Sequence, residues 1–246
     1  MFVLGFACAS YADDNELTFN EILDQMEEAG DYSTMQGEAV MKIINSDGDE
    51  TVMAFTSYEK KGKTADDDDS SLIRFTSPAR LKGTAILVVG DNIWYYNNRT
   101  NRVRLLSQSA KKGSMMGSGF SYEDLELQYS KDFTGEVVAV ERDHYKLKLI
   151  PKKEKNYSYM VIKTRKEDFQ VELADYFNEN DLLYKKMVSK DFTKIKSKGK
   201  ERVMPMVIEV KEIEDGKVTR IEFDPDDIKY DIKLDDDIFS ERALRQ

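Results

Sequence analysis

Apolar and polar residues alternate along most of the chain beyond residue 34, and this period of two predicts β-strands. Met35, Met41 and Ile43 would share one face of a first strand, and a turn at Ser46–Asp49 would lead into a second. Further runs follow at intervals of about ten residues, which favours an antiparallel meander. These runs are Leu72–Thr76, Ala85–Val89, Ile93–Tyr96, Val103–Leu106, Phe133–Glu141, Tyr145–Ile150, Tyr157–Thr164, Phe169–Tyr176, Leu182–Phe192, Val203–Glu212 and Val218–Phe223.

Two stretches depart from this alternation and predict helices. Apolar residues recur at helical spacing over Glu16–Ala29, where Thr18 or Asn20 can cap the start and Gly30 ends the pattern. A glycine-rich loop over residues 111–120 precedes Ser121, an N-cap candidate for a second, short helix. Because no linker or shift in composition divides the chain, we predict one domain over residues 13–246.

Residues 1–12 have the pattern of a secretory signal peptide. The apolar run Phe2–Ala9 is too short to span a bilayer, and Ser10–Ala12 resembles a small-x-small cleavage site. No Lys or Arg precedes the run, so an upstream start or a buried segment are the alternatives. Cys8, the single cysteine, is a candidate for lipid attachment, although Gly5 stands where an aliphatic residue is expected. A chain cleaved after Ala12 has no thiol for disulfides or zinc.

The overall charge narrows the choice of partners. The formal net charge of −10 disfavours nucleic acid and anionic membrane surfaces, and it opposes self-association. We therefore expect a monomer that makes only transient contact with membranes. An apolar content of 40% with 11% aromatic residues is enough for a folded core.

Catalytic and metal-binding signals are weak. His144, the single histidine, lies between Asp143 and Tyr145 and is typical of a surface turn. The acidic stretches Asp66–Asp69 and Asp224–Asp237 lack EF-hand spacing, so solvated loops are favoured and calcium is the alternative. Nucleotide-binding, zinc-protease and serine-hydrolase motifs do not occur. We predict no enzymatic activity and no cofactor.

Apolar side chains in the glycine-rich loop are the most informative feature for function. Met115, Met116 and Phe120 would cover an apolar cavity, for which flexible methionine is well suited. The alternative is that they fill the core of their own domain.

An ordered series of motifs resembles a known family. The series is Phe75–Gly83 (FTSPARLKG), Trp94–Tyr96 (WYY), Arg102–Arg104 (RVR) and Met116–Leu125 (MGSGFSYEDL), followed by an ending over Asp237–Leu244. It resembles the outer-membrane lipoprotein-sorting proteins, in particular an uncharacterised periplasmic branch of the LolA-like family. Within the first motif, Pro78 and Gly83 are expected to serve the fold.

The resemblance implies a mainly β (α+β) fold in which a strongly curved antiparallel sheet forms an unclosed barrel with helices packed on its concave side. It also implies a periplasmic carrier that holds lipid or lipoprotein acyl chains for transport toward the outer membrane. The alternative is an envelope binding module that docks a protein or a divalent metal through its convex face or acidic loops.

Candidate site residues follow from this reading. The predicted lipid-binding residues are Trp94, Tyr96, Met115, Met116, Phe120, Tyr122, Met53 and Phe55. Lys82, Arg102 and Arg104 would contact a headgroup or have a structural role. Which strand face is concave is the sensitive assumption, because a shift of one residue inverts it.

Overall fold

The computed structural model of the chain describes residues 16–62 and 67–245. The predicted signal peptide and Cys8 lie outside the described residues. The α-helices are α1 (Phe19–Ala29), α2 (Gln108–Lys111) and α3 (Tyr129–Asp132), and 3-10 helices cover Tyr122–Glu126, Pro225–Asp227, Asp236–Phe239 and Ala243–Arg245. None of the helices in these ranges has the length and apolar character needed to cross a bilayer.

Fourteen antiparallel strands form one sheet across the described ranges. They are β1 (Thr34–Ile44), β2 (Glu50–Lys60), β3 (Ser70–Ser77), β4 (Ala85–Val89), β5 (Asn92–Asn97), β6 (Arg102–Leu105), β7 (Phe133–Val140), β8 (His144–Pro151), β9 (Tyr159–Arg165), β10 (Val171–Phe177), β11 (Leu183–Ser197), β12 (Lys200–Glu212), β13 (Val218–Phe223) and β14 (Lys229–Tyr230). The prediction of a mainly β chain is confirmed.

The sheet consists of two meanders that meet in its middle. Strands β1 to β6 follow one another to one edge, strands β13 to β7 lead to the other, and β1 pairs with β13. Strand β14 adds a short pairing to the start of β1. The edge strands β6 and β7 do not pair with each other, which leaves the barrel unclosed as expected.

Helix α1 begins where the sequence predicts. The Thr18 hydroxyl accepts a hydrogen bond from the backbone N–H of Glu21 (3.3 Å), and the Glu21 carboxylate accepts one from the backbone N–H of Thr18 (2.8 Å). This capping box satisfies two N–H groups that have no partner inside the helix. Ile22, Leu23 and Met26 then form the buried face.

One hairpin is longer than predicted. Strands β11 and β12 run up to the two-residue turn at Lys198–Gly199, whereas the sequence pattern placed their ends at Phe192 and Val203. Both turn residues have positive φ, as in the turns that join two-residue hairpins. Alternating lysines at the tip hide the apolar period, although Ile195 is buried among them.

The register of the strands defines a continuous inner face. Cross-strand pairing places Ile43 beside Thr219, Thr219 beside Val210, and Val210 beside Met187. The same row continues to β8, where it forms a core under α1. That core consists of Ile22, Leu23, Met26, Phe133, Leu147, Leu149, Tyr157, Met160, Ile162, Ala174 and Tyr176. The inner core of the other half consists of residues on strands β1 to β5 together with Met115 and with Ile221 on β13. Its members on β1 to β5 are Ala39, Met41, Ile43, Met53, Phe55, Phe75, Ile86, Val88 and Ile93.

The C-terminal segment covers the outer face of β3 to β5. Leu244 is fully buried there, and Ile238 and Phe239 pack beside it. The Arg74 guanidinium on β3 donates to the carbonyl oxygen of Ala243 (2.9 Å), which holds this segment in place. Both faces of β4 are consequently buried.

Candidate functional site

The motif Phe75–Gly83 forms the turn between β3 and β4. The N–H of Gly83 donates to the carbonyl of Phe75, and the N–H groups of Leu81 and Lys82 donate to the carbonyl of Pro78. Gly83 has a φ of +84°, which L side chains adopt only with strain. The expectation that Gly83 serves the backbone is confirmed, and the motif shapes the sheet beside the site.

The chain between β6 and β7 crosses the inner face from one edge of the sheet to the other. We call residues 106–132 the crossing segment. Its glycine-rich part is a small hairpin, with a bridge between Ser114 and Ser121 and a tip at Met116–Gly117. Met116 and Gly117 both have positive φ, and the N–H of Ser118 donates to the carbonyl of Met115 (2.9 Å). The sequence suggested an irregular loop here, whereas the structure has an ordered turn.

Two contacts hold the crossing segment against the middle of the sheet. The N–H of Gly119 donates to the hydroxyl of Thr219 (2.8 Å), whose side chain is buried. A Cβ atom at Gly119 would lie 2.8 Å from a methyl carbon of Val210, so only glycine allows this approach. The carboxylate of Asp124 pairs with the Lys185 ammonium on β11 at 3.2 Å, and both side chains are largely buried.

The pair of Asp124 and Lys185 is surrounded by tyrosines. The Lys185 ammonium lies 4.3 Å from the ring centroid of Tyr176. Burial, with a smaller effect of the Asp124 charge, raises the pKa of Tyr129 to about 12. Burial also raises the pKa of Tyr184, again with Asp124 as the next cause. Neutral phenols thus surround an ion pair whose two side chains are largely buried.

A cavity of about 470 Å³ lies between the crossing segment and the inner face of the β1–β4 half. This volume is within the range of small-molecule binding sites. Its apolar wall consists of Met35, Phe55, Ile73, Val88, Met115, Phe120, Leu125, Leu127, Met204, Ile208, Ile221 and Phe223.

Polar side chains gather at one end of this cavity. The Tyr32 hydroxyl donates a hydrogen bond to Oε2 of Glu59, and the Lys61 ammonium pairs with Asp69 at 2.8 Å. The side-chain amide of Gln128, on the crossing segment, donates to the same Asp69 oxygen (3.3 Å). Burial raises the pKa of the Glu59 carboxyl, although the Tyr32 hydrogen bond and the Lys61 charge oppose that shift. The cavity is therefore amphipathic.

The structure brings most of the predicted apolar residues together. Phe55, Met115 and Phe120 line the cavity. Met53 is buried in the core beside it, and Met116 and Tyr122 pack against that core. The Tyr122 ring contacts the ring of Tyr95 edge to face, with centroids 6.5 Å apart.

The predicted orientation of Trp94 and Tyr96 is wrong. Cross-strand pairing places Trp94 beside Leu87 and Tyr96 beside Ala85, both on the outer face. There they pack in the cluster that contains Leu244, away from the cavity. The prediction failed because the C-terminal segment covers β4 from outside, so an apolar side chain on these strands does not mark the inner face.

The three predicted cationic residues lie outside the cavity lining. Lys82 is exposed in the β3–β4 turn, where its carbonyl accepts a hydrogen bond from the Asn98 side chain (2.8 Å). Arg102 and Arg104 are exposed on the edge strand β6. Arg104 pairs in register with Tyr95, which places it on the inner side of that edge.

Sequence reasoning missed the polar end of the cavity. Glu59 and Ser57 follow Phe55 at alternate positions of β2, so the alternation itself could have placed them on the inner face. Tyr32 had no such signal, because it reaches Glu59 from the segment between α1 and β1.

The remaining candidates are separate from this cavity. His144 begins β8, and its Nε2 lies 2.8 Å from a Glu172 oxygen. Among the residues that the structure describes, no group of three or more His, Cys, Asp or Glu side chains is placed to hold a metal ion.

Comparisons with known proteins agree with the fold. Residues 67–246 match a family model described as "uncharacterized protein". A crystal structure of a DUF1329 family protein from Desulfovibrio piger is 29% identical and superposes with a TM-score of 0.83, covering 92% of this chain and 97% of that one. A search of curated proteins found no match.

Two further solved structures are similar in fold at 19% sequence identity. A domain from Vibrio parahaemolyticus named for the outer membrane lipoprotein-sorting proteins has a TM-score of 0.83, with 92% of this chain and 98% of that chain covered. A LolA superfamily protein from Nitrosomonas europaea has a TM-score of 0.73, with coverages of 93% and 100%. The chain therefore belongs to the family of the model that matches residues 67–246, and its fold is that of the LolA-like outer-membrane lipoprotein-sorting proteins, as its motifs predicted.

Proposed function

We propose that this protein is a periplasmic carrier that holds an acyl chain of a lipid or lipoprotein in the inner-face cavity. The observation that carries the proposal is the apolar wall of that cavity, which includes Phe55, Met115 and Phe120. Moving an acyl chain out of water gains about 0.8 kcal/mol per CH₂ group. Four residues of this wall belong to the crossing segment, namely Met115, Phe120, Leu125 and Leu127. The methionine side chain among them adapts to a flexible acyl chain at low cost.

The position of the crossing segment supports release as well as binding. Its hairpin covers the cavity through apolar side chains, and polar contacts to Thr219 and Lys185 are among those that hold it to the sheet. This cover consists of a hairpin and short helices rather than strands of the sheet, so it can move without unfolding the sheet, as carriers and gated sites require.

The test is native mass spectrometry of the protein purified without detergent, followed by lipid extraction. We expect a co-purified acyl species in the native protein. Phe120→Asp should lose it, because a carboxylate in the apolar wall is costly to bury. Val52→Asp is the matched control, because Val52 is 46% exposed and its partner in register on β1 is Lys42, on the outer face.

The same experiment can overturn the proposal. If the native protein carries no lipid and takes up none of an added phospholipid, fatty acid, fatty alcohol or fatty amine, the carrier function fails. Far-UV circular dichroism of both variants shows whether loss of lipid follows from loss of the fold.

A further inference from the structure

The inner faces of two neighbouring strands change from aromatic to polar along the cavity. On β2, Phe55, Ser57 and Glu59 occupy alternate positions and all three line the cavity. On β3, the residues paired with the two ends of this series are Phe75 and Ser71. Four residues of extended strand span about 13 Å. The cavity thus has an apolar end and a polar end separated by roughly that distance.

Most charges at the polar end are already paired with protein groups. The Lys61 ammonium contacts Asp69 at 2.8 Å, and the Lys60 ammonium contacts Asp236 at 2.6 Å. The other oxygen of Asp69 accepts the backbone N–H of Gly62 (2.8 Å). The charge of each lysine is therefore balanced by a carboxylate of the protein.

Glu59 differs from these groups. Its Oε2 accepts the hydrogen bond from Tyr32, and no hydrogen bond from the described part of the chain reaches Oε1. The carboxyl is half-buried in the cavity wall. Oε1 is therefore open to a donor from a bound molecule, and a hydrogen bond to a charged carboxylate is stronger than one to a neutral acceptor.

We propose that Glu59 selects the headgroup of the cargo, an inference that rests on the proposed function. The ligand class is a single-chain amphiphile whose headgroup donates hydrogen bonds, through a hydroxyl or an ammonium group. Carboxylate and phosphate headgroups are disfavoured, because they would place a second negative charge beside Glu59 while both nearby lysines are engaged. The chain would lie along β2 with its tail at Phe55 and its headgroup at Glu59.

The experiment compares three amphiphiles that share a 16-carbon chain: 1-hexadecanol, hexadecylamine and palmitate. The delipidated full chain is incubated with each, and binding is measured by displacement of Nile red and by native mass spectrometry. We expect palmitate to bind at least about tenfold more weakly than the other two, since a hydrogen bond to a charged group is worth that much. The relative affinity of alcohol and amine shows whether hydrogen bonding alone or positive charge as well is recognised.

The variants separate this inference from the proposed function. Glu59→Gln should remove most of the discrimination while all three ligands still bind. Glu38→Gln, on the outer face of β1, removes the same charge and should leave the discrimination intact. If Glu59→Gln keeps the preference, or if wild-type protein binds palmitate as well as the others, the headgroup assignment fails and the carrier function stands. If wild-type protein binds none of the three, the proposed function fails and this inference fails with it.

Discussion

On the β7–β10 half of the sheet, helix α1 covers the inner face, whereas on the β1–β4 half the crossing segment is the cover that the described residues provide. Between α1 and the sheet, the side chains of Ile22 on the helix and of Leu147 and Ile162 on the strands are completely buried. Under the crossing segment, a cavity of about 470 Å³ separates Phe55 from Leu125 and their neighbours. One curved sheet therefore combines a filled core and a binding space.

The two halves differ because α1 and the crossing segment present apolar faces of different extent to the sheet. An amphipathic helix of eleven residues presents a broad apolar face that fits into the curve of the sheet. The crossing segment covers its half with a hairpin and short helices, which reach the sheet at Gly119 and Asp124. We infer that the β7–β10 half is filled by its own side chains, whereas the β1–β4 half combines a buried core with a space that can bind a ligand.

The first prediction, which has the largest expected effect, compares one leucine-to-alanine substitution in each half of the sheet. Leu149→Ala, in the filled half, should lower the free energy of unfolding by about 2–5 kcal/mol, because Leu149 is fully buried. Leu125→Ala should cost clearly less, because Leu125 lines an existing cavity and is only half-buried. Urea denaturation of both variants measures the difference. Equal losses would mean that the two halves are packed alike.

The second prediction concerns the ion pair between Asp124 and Lys185, which joins the crossing segment to strand β11. Asp124→Asn leaves the Lys185 ammonium largely buried without its counter-charge, so we expect a loss of about 3 kcal/mol. Lys185→Met in the Asp124→Asn background should recover part of that loss. A double-mutant cycle by urea denaturation gives the coupling energy. Additive losses would show that the pair does not hold the crossing segment in place.

The third prediction addresses the tip of the hairpin. Gly117 has a φ of +83° and open space around its Cα, so Gly117→Ala adds strain without a steric clash. We expect the free energy of unfolding to fall by about 1 kcal/mol. Gly30→Ala is the control, because Gly30 has negative φ and a Cβ there would make only ordinary contacts. Thermal unfolding of the two variants tests the turn, and a stable Gly117→Ala protein would contradict the left-handed geometry.

The comparison of the halves also explains which features the sequence could predict. Alternation located the strands, and the spacing of Thr18 and Glu21 located the start of α1, because these signals are local. The inner face could not be read at β4, where Ala85 to Val88 are all buried and the period of two disappears. Leu244 buries the outer side of that strand from far along the chain, and no local pattern records such a contact.

The polar end of the cavity was also missed because it depends on a contact between residues far apart in the sequence. Tyr32 and Glu59 meet only after the sheet has formed, so each residue alone looks like an ordinary surface side chain. The aromatic residues of the Trp94–Tyr96 motif pointed to the correct region of the sheet but were assigned to the wrong face for Trp94 and Tyr96. Family motifs thus identified the fold more reliably than they identified the residues of the site.

The smallest expected effect is a change in how the free energy of unfolding depends on pH. It tests whether the polar end of the cavity differs in character from the apolar end. Burial raises the folded-state pKa of Glu59, while the Tyr32 hydroxyl and the Lys61 ammonium oppose the shift and Asp69 adds to it. The folded state therefore binds the proton more tightly than the unfolded state. Between the unfolded pKa, about 4.3, and the higher folded value, stability falls as pH rises.

Glu59→Gln removes that contribution. As pH rises through this window, the free energy of unfolding of the variant should therefore increase relative to that of the wild type. Urea denaturation at closely spaced pH values measures the two slopes, with Glu38→Gln as the control on the outer face. Parallel curves for wild type and Glu59→Gln would show that Glu59 is solvated like a surface carboxylate. In that case the cavity would be uniform in character, and the distinction between its apolar and polar ends would be lost.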